Sequence, residues 1–175
     1  AKNTYSITAS VSDGTNSATQ AITVNVTNLN DNSPSFTSSA TFSSAENQTA
    51  IGTVTATDAD GDTISYSLSG TDASSMSINS SSGVLTFNSA PDYETKSSYS
   101  ATVTASDGTN STSQTITVTI VDVDDVAPAF TSSASFSAAE NQTSIGTVTA
   151  TDTDTDDSSI TFSVSGSELS IGSSS

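Results

Sequence analysis

The sequence predicts an all-β fold, built as tandem seven-stranded Greek-key β-sandwiches, and three observations predict it. Apolar residues alternate with serine and threonine at period two along most of the chain, with no helical periodicity. Clusters of Asp, Asn, Gly and Ser separate the alternating runs, as turns separate short strands. The chain also repeats itself at an offset of 94 residues: Tyr5 matches Tyr99, Asp13 matches Asp107, Pro34 matches Pro128 and Glu46 matches Glu140.

The repeat divides the 175 residues into three units. Residues 1–33 are the C-terminal strands of a preceding repeat, 34–127 a complete repeat, and 128–175 the N-terminal part of a following one. Within the complete repeat the alternation picks out Val54 and Ala56; Ile64, Tyr66 and Leu68; Met76 and Ile78; and Leu85 and Phe87. A long run follows at Tyr99, Ala101, Val103 and Ala105, then another at Ile116, Val118 and Ile120. Asp60-Gly61-Asp62, Ser82-Gly83 and Asp107-Gly108 mark turns between them, and Ser80–Ser82 and Ser173–Ser175 read as loop. Six or seven strands in one repeat imply a sandwich whose inward residues form a small core with few aromatics. Tyr5 and Tyr99 read as members of that core.

Charge narrows the function classes. Acids outnumber bases to give a net charge of −17, and Lys2 and Lys96 are the only basic residues. Nucleic acid is excluded as a partner, because phosphate contacts need lysine and arginine. Docking to anionic membranes is disfavoured, and no apolar run approaches the length of a membrane span. With no cysteine there is no disulfide and no thiolate metal site. For a small extracellular domain this leaves a bound metal as the expected cross-link.

The run Asp122-Val123-Asp124-Asp125-Val126-Ala127-Pro128 shows where such a metal belongs. It crowds three carboxylates directly after an alternating strand. Like charges 4 Å apart repel by roughly 4 kcal/mol at the effective dielectric of a protein surface. The chain has almost no counter-charge to offer them. Calcium takes six to eight oxygen ligands from carboxylates, carbonyls and water, so a calcium site at the linker between two domains is expected.

Five motifs in order resemble the cadherin repeat, of the bacterial, calcium-dependent kind, over essentially the whole chain. Ala45-Glu46-Asn47 is similar to the family's glutamate motif near the first strand, with Glu140 in the next copy. Asp58-Ala59-Asp60 and Asp152-Thr153-Asp154 resemble its Asp-x-Asp, and Asp92-Tyr93-Glu94 its Asp-Arg-Glu. Asp107 and Asp13 match the aspartate that follows the long sixth strand. The interdomain pattern Asp-x-Asn-Asp-Asn-x-Pro-x-Phe appears from Asn28 to Phe36 and from Asp122 to Phe130.

The resemblance implies a calcium site at each junction. The second would take Glu46, Asp92 and Glu94 from the complete domain, Asp122, Asp124 and Asp125 from the linker, and Asp152 and Asp154 from the next domain. Carbonyls of Val123 and Val126 would complete it. The first would take Asn28, Asn30, Asp31, Asn32, Asp58, Asp60 and Asp107. Fourteen of the nineteen acids fall in these motifs; Asp62, Asp72, Asp156, Asp157 and Glu168 do not. Asn28 stands where the family has an aspartate, so the second junction is expected to bind calcium more tightly than the first.

The function expected is a calcium-rigidified spacer or filament segment of an extracellular or cell-surface adhesin, with neighbouring repeats as partners. A calcium-dependent carbohydrate- or cell-binding module is the alternative, although no tryptophan is present to stack on a sugar. An enzyme is not expected, because histidine, cysteine and arginine are absent and with them the familiar nucleophile and base pairings. A serine–lysine dyad at Lys96 competes with a plainer reading as a guard on a strand edge. Asp92 with Glu94 could serve glycoside hydrolysis only with a sugar platform, and none is near. The Asn-x-Ser/Thr triplets at Asn25, Asn47, Asn79, Asn110 and Asn141 are accounted for first by chance in so Asn- and Ser-rich a chain. The ends suggest a window from a longer array, or else homotypic subunits that complete a shared domain by strand complementation.

Overall fold

Alternation at period two places every second side chain of a strand on one face, and the computed structural model of the protein sorts those faces as the pattern requires. Residues 3–154 and 160–172 are described. Lys2, Asp156, Asp157 and Ser173–Ser175 lie outside them.

Strands β1 (Thr4–Ser12) and β2 (Ser17–Asn25) pair as an antiparallel hairpin with Tyr5 opposite Val24 and Ile7 opposite Ile22. The complete repeat follows, with β3 (Ser35–Phe36), β4 (Thr41–Ala45), β5 (Ala50–Thr53), β6 (Ala56–Thr57), β7 (Ser65–Ser69), β8 (Met76–Ile78), β9 (Val84–Phe87), β10 (Ser98–Ser106) and β11 (Ser111–Val121). One 3-10 turn, Ala73–Ser75, leads into β8. A four-stranded sheet in the order β4-β11-β10-β7 faces a three-stranded sheet in the order β5-β9-β8. Strand β4 runs parallel to β11, while the short β3 pairs with β6. The first and second strands of the sandwich are therefore each interrupted, as β3 with β4 and β5 with β6, so nine segments make up the seven strands expected.

Between the sheets lie Val54, Leu85, Val103, Ile116 and Val118, all fully buried, with Met76, Phe87, Ala101 and Ile120 nearly so. Tyr66, Leu68 and Ile78 pack against them half-buried. Tyr99 meets the edge of Phe87 at 4.9 Å between ring centroids and packs against the core as expected, whereas Tyr5 is exposed. Gly83 allows the chain to turn from β8 to β9, its φ of +70° lying in the left-handed region. Its carbonyl accepts the Val54 N–H at 2.9 Å. Ser80–Ser82 form that turn, capped by the Asn79 carboxamide oxygen.

Lys96 does not sit on a strand edge. It precedes β10, pairs with Asp72 and lies over the Tyr99 ring, so the guard reading is corrected to an ion pair that anchors the loop before β10. Asp72 also accepts the Ser100 N–H, which gives that acid a structural role.

The flanking units repeat parts of this scheme. The β1–β2 hairpin has the register of β10–β11, where Tyr99 faces Val118 and Ala101 faces Ile116. Strands β12 (Ala129–Phe130) and β13 (Ala150–Thr151) pair Phe130 with Ala150, as β3 and β6 pair Phe36 with Ala56. Each flanking unit leaves its apolar face bare: Ile7 and Val24 on the hairpin are exposed, and Phe130, Phe136, Phe162 and Ile171 line an open cavity of about 520 Å³.

Candidate metal centre

Both junctions are built on one hydrogen-bonding unit, and the second shows it most completely. The turn after β4 carries Glu46, which is 2% exposed although it is a carboxylate. Burial of a charge is tolerated because both oxygens accept backbone donors: Oε2 takes the Tyr93 N–H at 2.9 Å and Oε1 the Val123 N–H at 2.8 Å. Glu46 thus ties the Asp92-Tyr93-Glu94 loop and the linker to the end of β4. The next residue, Asn47, holds a left-handed φ of 60° and donates from its side chain to Asp125.

From the far side Asp154 reaches the same linker. Its Oδ2 accepts the N–H groups of Asp125 at 3.0 Å and Val126 at 2.9 Å. Its other oxygen, Oδ1, is buried without a hydrogen-bond partner. Around it, Glu94, Asp122 and Asp154 offer ligand atoms within 4.8 Å of one another, and so do Glu46, Glu94 and Asp125. Among the described residues the one base, Lys96, is engaged with Asp72.

Glu94 registers the crowding. Its own backbone N–H draws its pKa down, but desolvation, the Glu46 charge, the hydrogen bond with Asp92 and the Asp122 charge together push it up to about 7. Asp92 has its pKa lowered by the Thr95 hydroxyl and backbone N–H. It belongs, with Asp124 and Asp152, to the expected set but not to the groups that converge within 4.8 Å.

The first junction reproduces the unit 94 residues earlier. Asp60 Oδ2 accepts the N–H groups of Asp31 at 3.1 Å and Asn32 at 2.9 Å, as Asp154 does for Asp125 and Val126. The Asn32 side chain also donates to Asp60, lowering its pKa, and Asn28 donates to the Asp60 carbonyl at 2.8 Å. Asp58 Oδ1 accepts the Asp60 N–H at 2.8 Å, while Asp58 Oδ2 is buried with no hydrogen-bond partner. Asp107, at the tip of the β10–β11 hairpin, faces the same linker through Asn110, which donates to Asn30 Oδ1 at 3.0 Å.

Here the sequence reading missed a residue. Asp62 lay outside the motifs, yet its carboxylate comes within 4.8 Å of Asp58 and Asp60. One of its oxygens is buried without a hydrogen-bond partner, and desolvation with the charges of Asp58, Asp60 and Asp107 raises its pKa. The available signal was the third acid at even spacing in Asp58-Ala59-Asp60-Gly61-Asp62.

Two expected residues stand apart from both groups. Asp13 caps the tip of the β1–β2 hairpin, accepting the N–H groups of Thr15 and Asn16, at the opposite end from the linker. Glu140 is exposed.

Buried oxygens without hydrogen-bond partners and carboxylates converging from two domains and a linker form a donor set suited to a hard divalent ion. The comparisons agree. A family model described as the cadherin domain matches residues 38–121. Human protocadherin Fat 4 is 39% identical over 92 residues, or 49% of this chain, and the mouse protein is 37% identical over 101 residues, or 54%. The chain spans 2% of the length of these relatives. Among solved structures, mouse cadherin-23 EC22-24 superposes with a TM-score of 0.68 at 30% identity, covering 95% of this chain and 58% of that one. Protocadherin gammaB7 EC3-6, solved as a cis-dimer, gives a TM-score of 0.71 at 29% identity, covering 87% and 43%.

Proposed function

We propose that the chain is a run of cadherin repeats, with residues 38–121 the domain that matches the family model, and that its two junctions are calcium-loaded joints that stiffen an adhesive extracellular array. Cadherin repeats are extracellular, non-enzymatic modules that bind calcium between successive domains, so calcium is the cofactor and the neighbouring repeat the partner. At the second joint Glu46, Asp92, Glu94, Asp122, Asp124, Asp125, Asp152 and Asp154 would hold the ions. At the first, Asn28, Asn30, Asp31, Asn32, Asp58, Asp60 and Asp107 would do so, joined by Asp62. The domain division at residues 34 and 128 is part of the same reading. It is supported by the 94-residue offset between the Asp60 and Asp154 units.

The observation that carries the proposal is Asp154. One of its oxygens accepts the linker N–H groups, the other is buried without a hydrogen-bond partner, and the carboxylate offers a ligand atom within 4.8 Å of those of Glu94 and Asp122. Ion-free, such groups repel and the joint flexes; ion-bound, they are drawn into one cluster. Calcium at 100 times its dissociation constant adds about 2.7 kcal/mol to folded stability. Calorimetric titration with melting and small-angle scattering, in calcium and in EDTA, tests this. A lower Tm and a broader distance distribution in EDTA are expected; identical melts and profiles would overturn it.

The exposed aromatics Phe130 and Phe136 line the bare core face of the third unit, so they offer the carbohydrate-binding alternative no separate platform. The named relatives are human and mouse proteins, and no bacterial origin is carried forward.

A further inference from the structure

Asn110 was singled out only as a glycan-acceptor triplet, and neither the family motifs nor the expected ligands include it. In the structure its side-chain amide points into the first junction. Nδ2 donates to Asn30 Oδ1 at 3.0 Å, to the Asn32 carbonyl at 3.2 Å and to Asp107 Oδ2 at 3.3 Å. Two of these acceptors belong to the linker and the third to the hairpin tip of the complete domain. A single carboxamide therefore bridges segments 78 and 80 residues apart in the chain.

The hairpin turn does not need this side chain. The turn closes through the backbone, with Asn110 N–H to Asp107 Oδ1 at 2.6 Å and Asp107 N–H to the Asn110 carbonyl at 3.2 Å. Asn16 closes the equivalent turn at Asp13 in the same way. The Asn110 amide thus adds one bond to Asp107 within the turn and gives its other two to the linker.

We propose that Asn110 is a positioning residue that clamps the first linker onto the β10–β11 tip and presets Asn30, Asn32 and Asp107 for the calcium joint. The proposal rests on the calcium reading above for its effect on affinity, but the clamp itself needs no ion. An amide or carbonyl oxygen has two lone pairs, so accepting one N–H leaves the second for a cation. Partners of this outer kind typically change metal affinity by 10- to 100-fold when removed. Nδ2 is also the atom to which an N-linked glycan attaches, so a glycan on Asn110 would leave a single N–H for the clamp.

The chain has no cysteine, so paired spin labels can be placed freely. Labels at Thr8→Cys and Thr117→Cys, both on exposed strand positions, report the first joint; labels at Thr117→Cys and Ser137→Cys report the second. In EDTA, Asn110→Ala is expected to broaden the first distance distribution and leave the second unchanged. In a calcium titration it is expected to shift the first joint's midpoint about tenfold upward, with the second joint's midpoint held. Asn110→Asp, which replaces the donor by an acceptor beside Asp107, is expected to broaden the first joint further. Thermal melts of the variants check that the sandwich is intact. Distributions and midpoints in Asn110→Ala that superpose on the parent would overturn the clamp. If the parent narrows at neither joint with calcium, the calcium reading fails, while the EDTA comparison still decides the clamp.

Discussion

Replacing Glu46 by glutamine separates what the buried carboxylate does for the fold from what it does for the ion. In the parent, two charge-assisted hydrogen bonds run from the Tyr93 and Val123 N–H groups into a side chain that is 2% exposed. The amide keeps the shape but can accept only one of them, and its NH2 then faces the other N–H. Losing one charge-assisted bond in a buried site costs about 1.5–3 kcal/mol. At about 4–8 °C per kcal/mol for a domain of this size, the Tm in calcium should fall by roughly 6–24 °C. In EDTA the fall should be smaller, because the substitution also removes a negative charge from the cluster with Glu94 and Asp125. Melting the parent and Glu46→Gln in both buffers closes a cycle whose coupling isolates the ion. Equal falls in the two buffers would refute the link between Glu46 and calcium, and no fall in either would refute the clamp on Tyr93 and Val123.

Two further outcomes follow from single residues. Glu94 has a folded-state pKa raised to about 7, so between its ordinary value and 7 the folded, ion-free protein binds more protons than the unfolded chain. Ion-free stability should therefore fall as pH rises through that window, while calcium affinity rises over the same range because the proton and the ion compete; melts and calcium titrations from pH 5 to 8 check both signs. Gly83→Ala would place a methyl 2.1 Å from the Val54 carbonyl at a φ of +70°, and the two faults together should cost about 3 kcal/mol, read by denaturant unfolding.

The body of the sandwich was legible because its signal is local. Each alternating residue from Met76 to Ile120 that the pattern placed inside is buried or half-buried in the structure. Interruptions of a strand were less legible. The break between β5 and β6 leaves Val54 hydrogen-bonded to Gly83, a partner that alternation alone does not identify. Lys96 was misplaced for a related reason: its partner Asp72 is a 3-10 turn and two strands away, and pairing at that range leaves no periodic mark. Asp62 was missed because the motif was read as two acids, although its side chain converges on the same point as theirs.

The joints show why clustered acids could be read where clamps could not. A carboxylate cluster repeats at a fixed offset and stands out against a chain with two bases, so the Asp60 and Asp154 units were visible in the sequence. The groups that hold them are neutral or backbone: the N–H groups of Asp31 and Asn32 at one joint, those of Asp125 and Val126 at the other, and the amides of Asn47 and Asn110. Backbone donors are the same at every residue, which explains how Val126 can stand where Asn32 does without loss of the fork to the aspartate. Substitution at that position changes the side-chain oxygens available to an ion while preserving the linker's path. On the proposed calcium reading, the repeat would vary calcium affinity from joint to joint on a constant backbone, with the Asn28-to-Asn32 and Asp122-to-Val126 linkers as two such settings.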